Sequence, residues 1–120
     1  MHEVSVAQNI VDIVISEAEK ARAKKVTQVL LSIGELAGIE KEALLFAWDI
    51  VTKNTIAAGS HLSIEDIPGL AECQSCQHKF ETTDYFTVCE KCGDFRTDII
   101  KGKELQVKSI DIDDGIPESS

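Results

Sequence analysis

The sequence predicts an α+β fold: two helices packed on a small three-stranded sheet, with a four-cysteine, zinc-ribbon-like module inserted before the last strand. Three observations predict it. Two stretches carry apolar residues at helical spacing, and three others alternate apolar and polar residues as strands do. The only four cysteines of the 120-residue chain fall in two identical pairs, Cys73-Gln74-Ser75-Cys76 and Cys89-Glu90-Lys91-Cys92, with twelve residues between the pairs.

Taken in order, residues 5–23 read as the first helix. Ala7, Ile10, Val11, Val14, Ile15 and Ala18 recur on one face, and Lys20, Arg22, Lys24 and Lys25 crowd the C-terminal end, where cations suit the helix dipole. Ser5 with Gln8 reads as a capping box. Residues 26–33 alternate as a strand with Val29, Leu31 and Ile33 on one side, and Gly34 and Gly38 bracket the following turn. Residues 41–54 read as the second helix, with Leu44, Ala47, Trp48 and Val51 on its apolar stripe and Trp48 as a core residue. Residues 61–67 alternate again through Leu62, Ile64 and Ile67, and Pro68-Gly69 breaks that strand. Residues 104–113 form the last strand. Its apolar phase slips between Leu105/Val107 and Ile110/Ile112, which predicts a β-bulge near Lys108-Ser109. The expected organisation is a domain of residues 1–69 plus 104–114, a metal module of residues 70–103, and a short polar tail, residues 115–120.

Composition narrows the function. The formal net charge is −9, and residues 71–103 carry six acids against five bases. A surface that grips a phosphate backbone needs clustered Lys and Arg, so nucleic-acid binding is disfavoured. No apolar run reaches the ~18 residues of a membrane span, and the start of the chain lacks the basic and apolar regions of a signal peptide. A cytoplasmic location is expected, where reducing conditions favour metal-binding thiols over disulfides. No Gly-x-x-x-x-Gly-Lys-Ser/Thr phosphate loop occurs.

One Cys-x-x-Cys could be a redox pair. Two with a short spacer are better explained as a tetrahedral site in which Cys73, Cys76, Cys89 and Cys92 wrap one structural zinc. Iron in a rubredoxin-like electron carrier is the alternative metal, and a zinc-ribbon nucleic-acid or transcription accessory protein is the alternative role. His78, two residues after Cys76, is either an exposed loop histidine or a modulator of the zinc site. The start of the chain, Met1-His2-Glu3, carries a second metal signal. The α-amine, the backbone amide nitrogen of His2, its imidazole and the Glu3 amide make an in-plane donor set that suits square-planar Ni(II) or Cu(II).

Together these features resemble the HypA/HybF family of nickel metallochaperones for hydrogenase maturation. The resemblance is carried by Met1-His2-Glu3-Val4-Ser5, by Ile33-Gly34-Glu35-Leu36-Ala37-Gly38-Ile39, by the helix from Leu44 to Val51 and by the cysteine module. It implies a non-enzymatic carrier with transported nickel on Met1, His2 and Glu3, and one zinc on the four cysteines. Some family members add an acidic side chain near the start of the second helix, for which Glu40 is the candidate. The implied partners are a HypB-like GTPase and the precursor of the [NiFe]-hydrogenase large subunit, with the chain as a monomer or homodimer.

Overall fold

In the computed structural model, which describes residues 3–113, the elements follow the expected order. Helix α1 (Glu3–Lys20) leads into strand β1 (Lys25–Gly34), helix α2 (Lys41–Val51) and strand β2 (His61–Ile67). Three short strands follow, β3 (Leu70–Cys73), β4 (Lys79–Glu81) and β5 (Thr97–Lys101), and then β6 (Leu105–Asp113). There are two three-stranded sheets, ordered β2-β1-β6 and β4-β3-β5. The first is the expected sheet; the second lies within the cysteine segment. The described chain divides into two compact units: residues 3–31, 39–64 and 106–113, and residues 32–38 and 65–105.

In the first unit, α1 packs against α2. The core combines Val6, Ala7, Ile10, Val11, Val14 and Ala18 of α1 with Val26, Val29 and Leu31 of β1 and Leu44, Ala47 and Trp48 of α2. Trp48 is buried, as expected, and its indole N–H donates to Ser60 Oγ at 2.9 Å, so the polar edge of the ring is satisfied inside the core. The expected phase slip in β6 shows in its burial: the half-buried residues are Val107 and Ile110, three positions apart.

Three helix boundaries differ from expectation. Helix α1 begins before Ser5, which is an exposed residue within it, and Gln8 donates forward to Asp12 Oδ1 at 3.1 Å instead of closing a capping box. The buried stripe already starts at Val6, so the turn carrying Ser5 must be helical to aim it. The same helix stops at Lys20. Ala23 N–H bonds to Ala18 O at 2.9 Å and Arg22 N–H to Glu19 O at 3.0 Å, with Arg22 at φ 58°. That is a Schellman end, in which arginine occupies the left-handed position usually given to glycine. Helix α2 stops at Val51 rather than 54. Thr52 Oγ1 donates to Trp48 O at 2.7 Å, and Asn54 takes φ 67°.

In the second unit, β3 is the central strand, antiparallel to both neighbours. Ala71 faces Phe80 of β4 and Ile99 of β5, and Cys73 faces Thr97. A small core of Ala71, Cys73, Phe80 and Cys89, with Ile99 against it, replaces the large apolar core that so short a segment could not assemble. The Gly34–Gly38 turn is held here. Gly34 N–H bonds to Glu104 O, Leu36 N–H to Gly102 O, and the Tyr85 hydroxyl donates to Leu36 O. A Cβ on Gly34 would lie 2.0 Å from Gly102 O, so only glycine fits.

Candidate metal centre

The two Cys-x-x-Cys segments fold into the same local structure. In the first knuckle Cys73 N–H donates to His78 O at 3.0 Å, and Gln77 N–H returns to Cys73 O at 2.9 Å. In the second, Cys89 N–H donates to Asp94 O and Gly93 N–H to Cys89 O, at 2.9 and 2.8 Å. The equivalent residues Gln77 and Gly93 both adopt left-handed backbone, φ 60° and 77°. Glycine does so without steric cost, whereas glutamine holds the same turn with a side-chain bond from its Nε2 to Gln74 O at 2.9 Å.

These turns bring four sulfurs together. All lie within 4.8 Å of one another, and no other such group of His, Cys, Asp or Glu occurs among the described residues. Cys73 Sγ is 3.5 Å from Cys92 Sγ, and Cys76 Sγ is 3.6 Å from Cys89 Sγ. All four are free thiols. A tetrahedron of sulfurs about 2.3 Å from a central ion has edges of about 3.8 Å, so the cage is the size of a four-thiolate metal site. Cys73 and Cys89 are buried and Cys76 and Cys92 exposed, so each knuckle contributes one inner and one outer sulfur.

Backbone N–H groups point at the sulfurs. Those of Lys91 and Cys92 reach Cys89 Sγ, each at 3.4 Å. Burial pushes the Cys89 thiol up, but these donors and the neighbouring thiols of Cys76 and Cys92 outweigh it and bring it down to about 6. Cys92 moves the other way. The Asp94 N–H favours its thiolate, yet the adjoining Cys73 thiol, burial and the other two sulfurs push it up to about 12. Cys76 is raised as well, despite the N–H of His78. Cys89 is thus the sulfur most readily ionised, Cys76 and Cys92 hold their protons more firmly, and a metal entering the cluster displaces protons.

Of the other expected site residues, His78 lies beside the cluster but is not one of its four clustered donors. Its Nε2 is 2.9 Å from Glu90 Oε1, and its ring stacks on Phe80 with centroids 5.9 Å apart. Glu40 is the N-cap residue of α2, and its carbonyl accepts from Leu44 N–H at 3.0 Å. Glu3 opens α1. Met1 and His2 lie outside the described residues. The sequence reading did not single out Ser75, Asp94 and Arg96. Asp94 accepts from Arg96 Nη2 at 2.8 Å, Arg96 Nε at 3.2 Å, the Arg96 backbone N–H at 2.9 Å and the Ser75 hydroxyl. The Arg96 and Ser75 hydrogen bonds hold its carboxyl well below the usual carboxylate range. A signal was available: Asp94 follows Cys92 at the same offset at which His78 follows Cys76.

Comparison with known proteins agrees with this geometry. Residues 1–112 match the family described as "HypA: Hydrogenase/urease nickel incorporation, metallochaperone, hypA". The hydrogenase maturation factor HypA of Chlorobium phaeobacteroides (strain BS1) is 40% identical over 113 residues, covering 94% of this chain and all of that protein. The factor of the same name from Caldanaerobacter subterraneus subsp. tengcongensis is 42% identical over 114 residues, with the same coverage. The solution structure of the nickel metallochaperone HypA from Helicobacter pylori matches with a TM-score of 0.69 at 28% identity, covering 94% of this chain and 98% of that one. These relatives are metallochaperones and maturation factors, not enzymes. Likeness along nearly the whole chain, a shared α+β fold and a four-cysteine metal site place this protein in the HypA family.

Proposed function

We propose that this chain is a nickel carrier for hydrogenase maturation, with its cargo at the N-terminus and a structural zinc in the cysteine cluster. The observation that carries this reading is a family match starting at residue 1, which takes in Met1-His2-Glu3 together with all four cysteines. Ni(II) is bound by the Met1 amine, the His2 amide and imidazole, and the Glu3 amide, with Glu40 as a further ligand. Four thiolates leave no open coordination position on zinc, so its role there is to fix the fold of the knuckles rather than to do chemistry. His78 modulates that site as a neighbour, and not as a ligand.

On this reading, residues 1–69 plus 104–114 form the nickel-binding domain, residues 70–103 the zinc module and residues 115–120 a tail. The cargo passes to the [NiFe]-hydrogenase large-subunit precursor with the help of a HypB-like GTPase, in the cytoplasm. Nucleic acid and membrane play no part; no described helix is long and apolar enough to cross a membrane.

The test is a nickel titration of the zinc-loaded chain. His2→Ala, and separately a one-residue extension ahead of Met1, should each abolish stoichiometric nickel binding and leave about one zinc per chain. Unchanged nickel affinity in either variant contradicts the N-terminal site.

A further inference from the structure

The backbone bonds that shape each knuckle stay within it, Cys73 to His78 in one and Cys89 to Asp94 in the other. Neither set holds the two cysteine pairs at their mutual distance. The pairing of β3 with β5, which ends at Cys73 opposite Thr97, and the shared core of Cys73 and Cys89 bring the pairs together, and at the exposed rim they are joined by polar groups from residues 74–75, in the middle of the first knuckle, and residues 94–98, just beyond the second. Gln74 N–H donates to Arg96 O at 2.9 Å, and Gln74 Nε2 donates to Asp98 Oδ1 at 3.1 Å. Ser75 is gripped from both sides. Its hydroxyl donates to Asp94 Oδ2 and accepts from Arg96 Nη2 at 3.1 Å. Arg96 is itself fixed to the second knuckle by a two-pronged contact, Nε to Asp94 Oδ1 and Nη2 to Asp94 Oδ2. A planar guanidinium makes such paired contacts, and an ammonium does not.

We propose that Arg96, Asp94 and Ser75 form a metal-independent latch that holds the two knuckles at tetrahedral spacing and thereby sets how fast the cluster exchanges its metal. The identity of that metal rests on the zinc reading above. The outer sulfurs, Cys76 and Cys92, come one from each knuckle and are the two a chelator can approach. Parting the knuckles opens the way to the ion, and the contacts from Ser75, next to Cys76, to Asp94, two residues after Cys92, oppose that parting. Residues around a metal site that orient its ligands characteristically govern how firmly the metal is held.

The experiment follows zinc transfer from the zinc-loaded full chain to excess EDTA at neutral pH, after metal analysis of the wild type. Arg96→Gln and Ser75→Ala should each speed release by about tenfold or more. The double variant should be no faster than the faster single one, because either change opens the same bridge. Arg96→Lys, which keeps the charge and loses the fork, should also be fast. Release within about twofold of wild type in both single variants overturns the latch, as do additive effects in the double variant or wild-type behaviour in Arg96→Lys. In the metal-free chain, Arg96→Gln should speed hydrogen exchange at the Gln74 amide; unchanged exchange overturns the metal-independent part. A wild type that holds no zinc overturns the zinc reading instead, and the exchange measurement still decides the latch.

Discussion

Gly34 shows how a single residue ties a motif to its structure. The segment from Ile33 to Ile39 marks the family resemblance, and its first glycine is where backbone meets backbone, with Gly102 O occupying the place of a side chain. Gly34→Ala is expected to destabilise the chain by about 1–3 kcal/mol or more, since the atom it meets is backbone and cannot swing aside. A thermal melt reads this directly, and a wild-type Tm would contradict the close approach. Gly93 is a different case. Nothing lies within 4 Å of its added Cβ, so Gly93→Ala costs only the left-handed backbone, about 1–2 kcal/mol. Gln77 already bears that strain in the twin knuckle. Gln77→Gly should therefore be close to neutral, as relief of strain offsets the roughly 0.5–1 kcal/mol that glycine loses in backbone freedom. Denaturant unfolding of both variants checks the pair, and equal losses would contradict the equivalence of the two turns.

At the scale of elements, legibility followed the physics of each signal. Strand β2 was read at its observed limits because alternation runs cleanly to Pro68. Helix ends were misplaced where the stop signal is unusual: Arg22 stands where glycine would have announced the end of α1. The strands β3, β4 and β5 were not foreseen. At three to five residues they are too short to show a period, and their pairing is set by the cysteine turns rather than by an apolar pattern. The clustering of the four cysteines was plain because Cys-x-x-Cys spacing is itself geometric. Ser75, Asp94 and Arg96 were hidden because their roles depend on which loop folds against which.

The paired knuckles also predict a pH dependence of the metal-free chain. Folding lowers the Cys89 thiol from the ordinary value near 9.0 to about 6. Its contribution is therefore fully present above pH 9 and is lost as pH falls through 6. Folding raises Cys92 from 9.0 to about 12, so its contribution is present below pH 9 and lost as pH rises toward 12. Melting of the metal-free cysteine unit should accordingly be highest near pH 9 and fall on both sides. In Cys89→Ser the acid-side decline should flatten. A melting temperature that rises steadily from pH 9 down to pH 6 would contradict these assignments.

Across the whole molecule, the proposed function separates two metals. On the proposed reading, the cysteine unit holds a resident ion in a closed cage, and the carried ion sits at the other end of the sequence, on Met1 and His2. The cysteine cluster was legible from spacing and is present in the fold, whereas the proposed nickel site rests on donor chemistry and the resemblance, and Met1 and His2 lie outside the described residues. The most direct measurement is native mass spectrometry of the chain equilibrated with both nickel and zinc, comparing wild type, His2→Ala and Cys73→Ala. The account predicts one nickel and one zinc in the wild type, zinc alone in His2→Ala, and nickel alone in Cys73→Ala with its helices intact by circular dichroism. Loss of nickel from Cys73→Ala with retention in His2→Ala would contradict it, because the cargo would then ride on the cysteines.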